Sequence, residues 1–184
     1  CVGGKCVYYL DGSDIQEAVS LAQNADVAIV FTATDSSEGG DRGSLSLDGD
    51  ADKLIAAVAA ANAKTVSVMV SPGAILTPWR DSVAATLVSF MPGQEYGHAI
   101  ADVLFGATNP SGKLPLTLPT KENECPVFTQ DMWPGSDNAA QANYSEHMLI
   151  GYRCYDHFKV TPAYPFGHGL SYTTFGITLV RTDA

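Results

Sequence analysis

Apolar and polar positions follow two different periods along the chain. Ile15, Ala18, Val19 and Ala22 recur at three- and four-residue steps across residues 14 to 25, predicting an amphipathic helix opened by Asp14. Val27-Ala28-Ile29-Val30-Phe31 follows as an unbroken apolar run, the mark of a strand buried on both faces. Thr34 to Gly49 is polar and glycine-rich and reads as a loop at that strand's carboxyl end. Leu54, Ile55, Val58 and Ala61 then fall on one helical face between Lys53 and Ala61. Thr65 to Val70 is the next strand, closed by Ser71-Pro72-Gly73. A short amphipathic segment holds Trp79, and Ala84 to Phe90 is a third apolar run, stopped by Met91-Pro92-Gly93. Gly97 to Phe105 reads as a helix with Ala99, Ile100, Val103 and Leu104 apolar.

Strand, loop and helix thus repeat between residues 14 and 105. The alternation predicts an α/β fold, a three-layer α/β/α sandwich on a mostly parallel sheet with helices on both faces. Ligands of such sheets sit at the carboxyl ends of the strands, so the loop from Thr34 to Gly49 is the first place to seek chemistry. From Asn109 the texture changes to Pro- and Gly-punctuated segments. Residues 109 to 170 are expected to wrap the sheet as long loops, with one or two more strands. Phe175 to Val180 looks like a strand beginning as the sequence stops. The expected division is a sandwich domain over residues 1–175, with 176–184 starting a strand or a linker to a following segment.

Composition narrows the class. Of 184 residues, 46% are hydrophobic and 16% charged, against roughly 25% charged in an average globular domain. That balance argues for a packed core and against disorder. Ten basic and twenty acidic side chains give a net charge of −10. Ten scattered cations build no face sized for phosphates, which argues against nucleic acid and anionic membrane surfaces as partners. No apolar run reaches the roughly 18 residues of a membrane span. A start at Cys1, without initiator Met or leader, reads as a processed end or a piece of a longer chain.

Four cysteines allow three pairings, and the sequence does not choose among them. Cys1 and Cys6 enclose a Gly-Gly pair and could close a small loop, while Cys125 and Cys154 could staple the C-terminal region. Free thiols in a cytosolic protein are the alternative. No Cys-x-x-Cys occurs and the four His are dispersed, so no metal site is expected. Asn143-Tyr144-Ser145 is a formal N-glycosylation acceptor. With even cysteines and an acidic balance, it tilts the expectation toward a secreted, extracellular protein, the alternative being a vacuolar or lysosomal lumen.

Phosphate-cradling patterns and the G-x-S-x-G elbow are absent, and no cofactor is expected. The densest chemical cluster is Asp35-Ser36-Ser37-Glu38-Gly39-Gly40-Asp41-Arg42. A carboxyl flanked by small residues can approach a substrate closely. Arg42 beside Asp41 suits an ion pair that pins the loop base and leaves Glu38 free. General acid work on a glycosidic oxygen needs such a carboxyl opposed by a second one. The plainer reading is a solvated acidic loop. Asn109 to Pro115 and Tyr164 to Tyr172 are dense in turn formers and read as structural. His168 between two glycines reads as a hydrogen-bonded loop residue rather than a metal ligand. Tyr144, Glu146, Tyr152 and Arg153 could line a pocket, although a packed ion pair is the commoner explanation.

Taken together these motifs resemble glycoside hydrolase family 3. The resemblance is carried by Glu38-Gly39-Gly40-Asp41-Arg42 with Leu45 and Leu47, Pro78-Trp79, Pro92 to Gly97 and Ala101 to Gly106. Asn109 to Pro115, Tyr144-Ser145-Glu146, Gly151-Tyr152-Arg153 and Pro165 to Tyr172 continue it, in order from Ala25 to Phe175. The resemblance is to β-glucosidase-like members and implies the family's second domain, an α/β sandwich. It implies a retaining exo-acting β-glucosidase, releasing terminal β-linked glucose from glycosides or oligosaccharides. An Asp on a preceding (β/α)8-type barrel would be the nucleophile, and a Glu on a second-domain loop the acid/base. The family pattern puts that Glu just before the G-D-R triplet, which selects Glu38, with Glu146 and Glu95 as fallback candidates. Asp41 and Arg42 would bind substrate or support the loop. A barrel needs about 250 residues, so the chain alone is not expected to hydrolyse glycosides. The alternative is a non-catalytic structural or carbohydrate-binding remnant of such an enzyme.

Overall fold

The computed structural model describes residues 6–40, 42–127 and 144–179. Three parallel strands lie side by side in sequence order: β1 (Ala28–Ala33), β2 (Thr65–Val70) and β3 (Ala85–Ser89). The register sets Val30 beside Ser67 and Phe31 beside Val68, then Val68 beside Leu87 and Met69 beside Val88. The pairing runs past the carboxyl ends, with Thr34 N donating to Val70 O (3.1 Å) and Ser71 N to Ser89 O (3.1 Å). The chain is therefore already held where the β1 loop departs.

Four helices accompany the sheet: α1 (Ile15–Gln23), α2 (Ala51–Ala61), α3 (Tyr96–Leu104) and α4 (Tyr152–Phe158). Asp14 caps α1 by accepting from the amides of Gln16 (2.8 Å) and Glu17 (3.1 Å), two of the donors a helix start leaves unpaired. Helix α2 packs against α1 and against β1 and β2. Just past α2, the Asn62 Nδ2 donates to Ala22 O (2.9 Å) and Ala25 O (2.8 Å), tying the ends of the two helices together. The core gathers Ile55 and Val58 from α2, Val30 and Met69 from the sheet, and Ile75, Trp79 and Leu118 from connecting segments. Trp79 keeps its indole nitrogen satisfied on Asp52 Oδ1 of α2 (2.8 Å) while its ring is buried. Each such aliphatic burial stabilises by about 1.5–3 kcal/mol.

Two expectations need correction. The apolar run of β1 is not buried on both faces: Val30 is buried, but Phe31 is 56% exposed and Ile29 is also exposed. Among the described residues β1 has a neighbouring strand on one side only, whereas central β2 buries both Val68 and Met69. Among the described residues no further strand follows residue 109; only an isolated bridge pairs Leu118 with Tyr164. A helix stands there instead. Helix α4 has only seven residues, Tyr-Arg-Cys-Tyr-Asp-His-Phe, with no aliphatic stripe to announce it, and is bounded by Gly151 (φ 55°) and left-handed Lys159. Residues 174–179 carry no regular element, and Ile177 and Leu179 are exposed.

The turn-rich motifs do wrap, by pairing with each other. Leu114 N donates to His168 O (2.8 Å), Gly167 N to Leu114 O (2.8 Å) and Leu118 N to Tyr164 O (2.9 Å). Ser171 Oγ donates to Pro110 O (2.7 Å), and Asn109 Oδ1 accepts from Tyr172 N (2.8 Å). Gly169 fits because it lacks a side chain: a Cβ there would lie 2.5 Å from Gly112 O.

Candidate functional site at the carboxyl end of β1

The loop that leaves β1 makes a tight turn at its tip. Ser37 and Gly40 bridge antiparallel, leaving Glu38 and Gly39 at the two corners. Gly39 has φ 81°, a conformation glycine adopts without steric cost. Glu38 is exposed and makes no hydrogen bond or ion pair with a described residue. Its carboxyl is therefore presented outward on a turn.

Below this tip the loop is fastened at several points. Asp48 accepts from Asp35 N (2.7 Å) and Thr34 Oγ1 (2.8 Å), closing the loop on itself. These bonds, led by the Asp35 amide and helped by the Arg42 charge, hold the Asp48 carboxyl below its usual range. Arg42 donates Nη1 to Ala74 O (2.9 Å) and Nη2 to Ser46 O (3.4 Å). Leu76 N donates to Leu45 O (2.8 Å). From far along the chain, Glu122 Oε1 accepts from Leu45 N (2.6 Å) and Ser44 Oγ (3.1 Å). Arg42 thus supports the loop through backbone carbonyls; Asp41, its expected ion-pair partner, lies outside the described residues.

Comparison with known proteins identifies the family. Residues 8–172 match the glycosyl hydrolase family 3 C-terminal domain. The chain belongs to glycoside hydrolase family 3. Within the family it is similar to "Beta-glucosidase B" of Emericella nidulans, at 44% identity over 88% of this chain and 21% of that protein. It is also similar to an "Exo-alpha-(1->6)-L-arabinopyranosidase" of Bifidobacterium breve, at 41% identity over 91% of this chain and 23% of that protein. Among solved structures it resembles DesR, a β-glucosidase from Streptomyces venezuelae in complex with D-glucose, with a TM-score of 0.83 and 44% identity. That likeness covers 91% of this chain and 22% of DesR. The chain spans less than a quarter of the length of these relatives.

The other candidates of this family 3 domain are scattered or engaged. Glu95 precedes α3 and meets His98 Nδ1 at 3.0 Å. Glu146 is buried, its Oε2 has no hydrogen-bond partner among the described residues, and no ion pair joins it to Arg153. Arg153 lies instead over the Tyr152 ring, 5.6 Å from its centroid, so the expected packed ion pair does not form. Cys125 and Cys154, both buried, are joined in a disulfide with Cα atoms 6.3 Å apart. Cys6 is disulfide-bonded, whereas Cys1 and Asn143 lie outside the described residues. Among the described residues no three His, Cys, Asp or Glu side chains gather to hold a metal, and no helix is long and apolar enough to cross a membrane.

A cleft of about 390 Å³ opens beside β1, lined by Phe31, Thr32, Asp48, Asp50 and Leu54 among others. Glu38 does not line it. Sequence reasoning passed over Asp48, Glu122 and Glu124. Asp48 had a local signal, an acid closing a glycine-rich loop just before a helix. Glu122 had none, being 77 residues from Leu45.

Proposed function

We propose that this domain supplies the acid/base carboxyl of a retaining, exo-acting β-glucosidase, and that Glu38 is that group. The observation carrying the reading is the placement of Glu38 on an outward turn at a strand's carboxyl end, above a loop fastened at its base. The names of the relatives support the substrate class, terminal β-linked glucose, and the arabinopyranosidase among them marks how far specificity ranges within the family. The neighbouring Asp48 carboxyl is spent on the loop. By the resemblance to family 3, the nucleophile is assigned to an Asp on a (β/α)8-type barrel outside this chain. In the first step Glu38 gives its proton to the leaving-group oxygen as the C–O bond breaks and the Asp carboxylate bonds the anomeric carbon. In the second, Glu38 takes a proton from water, whose oxygen displaces the Asp. A retaining reaction places the two carboxyls about 5–5.5 Å apart.

Residues 1–175 are assigned to the sandwich domain, with 176–184 leading into a following strand or linker. Asp41 and Arg42 are assigned to loop support or substrate contact. The buried Cys125–Cys154 disulfide favours an oxidising compartment, so the protein is assigned to the secreted or extracellular class, with Asn143 as a glycan acceptor. Glu38→Gln in the native enzyme should lower kcat on p-nitrophenyl β-glucoside by about 10²- to 10⁴-fold. Unchanged hydrolysis would remove Glu38 from the mechanism and favour the non-catalytic, carbohydrate-binding reading.

A further inference from the structure

Within the run Glu122 to Cys125, three residues bind three different parts of the chain. Glu122 Oε1 accepts from Leu45 N and Ser44 Oγ. Asn123 turns the chain through a left-handed conformation (φ 49°), which an Asn tolerates better than most side chains. Glu124 then accepts from the Thr120 hydroxyl, the Thr120 amide (3.1 Å) and the Tyr155 hydroxyl (3.0 Å). Cys125 is bonded to Cys154 of α4. The segment is therefore clamped to α4 at Glu124 and Cys125, and from that fixed base Glu122 holds the β1 loop.

The clamp is an ionised one. Burial pushes the Glu124 carboxyl up, but the Thr120 and Tyr155 bonds outweigh this and leave it below its usual range. Burial first, then the Glu124 contact, keeps the Tyr155 hydroxyl protonated to well above its ordinary value. The two shifts keep donor and acceptor in complementary states. The Glu122 contact is charge-assisted as well, and such bonds are stronger than neutral ones. Arg42 and Leu76 tie the same loop to residues 74–76, so Glu122 is its anchor on the opposite, C-terminal part of the chain.

We infer that Glu122 is a positioning residue for the reaction: by holding Ser44 and Leu45, it fixes the height and direction of the turn that carries Glu38. The inference rests on the assignment of Glu38 as acid/base. A carboxyl that must meet a leaving-group oxygen at hydrogen-bond distance is sensitive to small displacements, about 1 Å costing up to about 10²-fold. The loss falls on substrates that need a proton. A 2,4-dinitrophenolate departs without one, whereas an alkyl alkoxide does not.

The test compares 2,4-dinitrophenyl β-glucoside with an alkyl β-glucoside in the native enzyme bearing Glu38→Gln, Glu122→Ala, Glu122→Gln or Ser44→Ala. Glu122→Ala should lower the glycosylation-step kcat/KM on the alkyl substrate about 10- to 100-fold and on the dinitrophenyl substrate less than about 3-fold. Glu122→Gln, which keeps an acceptor oxygen, should recover most of the loss, and Ser44→Ala should show a weaker form of the same leaving-group dependence. Equal losses on both substrates, or none, while Glu38→Gln shows the dependence, would overturn the positioning role alone. If Glu38→Gln itself lacks the dependence, the acid/base assignment fails and the positioning role with it. Should Glu122→Ala melt earlier or fold poorly, Ser44→Ala decides by the same criterion.

Discussion

Residues 14–105 bond mainly to themselves along the backbone, strand to strand and turn to turn of helix, around the side chains of Ile55, Met69 and Val68. Residues 109–127 and 144–172 share only a few backbone bonds, between Leu114 or Leu118 and residues 164–168, and add fastenings of other kinds. A disulfide, a Tyr155–Glu124 hydrogen bond, an Asn109 amide side chain and the close approach of Gly169 to Gly112 do the work that ladders do elsewhere. The first kind of structure follows from periodic burial and tolerates local change. The second is point-fastened, so its geometry depends on a few particular residues. The Glu38 loop leaves the first region and is anchored partly from the second, through Glu122.

The comparison breaks most readily in the core. Ile55→Ala, at a fully buried site, should cost about 2–5 kcal/mol. Hydrogen exchange should speed in β1, β2 and α2 together, because all pack on that side chain's surroundings. Replacing Cys125 and Cys154 with Ala should cost somewhat less, about 2–4 kcal/mol. Here exchange should rise in 109–127 and 144–172 while β2 stays protected. Equal loss of protection in β2 would mean that the two regions form one cooperative unit.

Legibility in the sequence divides along the same line. The strand over Thr65–Val70 was readable to the residue, and α1, α2 and α3 to within a few, because burial repeats with the period of the backbone. The exposure of Phe31 was not readable, since a hydrophobic run does not say whether its strand sits at an edge. Helix α4 was missed because caps and a covalent bond define it rather than periodicity. Glu38 was singled out as a candidate through the Gly-Gly-Asp-Arg pattern of residues 39–42. Asp48 was passed over although it closes a glycine-rich loop just before α2, and Glu122 was not legible, because what marks it is a contact made across space.

The smallest expected effect sharpens the view of the loop base. Asp48 has its carboxyl pKa lowered in the folded protein from an ordinary 3.8. Its contribution to loop closure is therefore complete above about pH 4 and is lost as pH falls through the lower folded value. The Asp35 amide, bonded to Asp48, should exchange faster only in that acid range. Loss of its protection near neutral pH would show that Asp48 does not close the loop.

The role of Glu38 is tested most directly by azide. In the native enzyme bearing Glu38→Ala, 2,4-dinitrophenyl β-glucoside can still form the glycosyl-enzyme, but water is no longer activated to release it. Azide needs no such activation, so its addition should restore turnover and yield β-glucosyl azide as the product. Turnover unaffected by azide, with glucose as the product at the unsubstituted rate, would contradict the assignment.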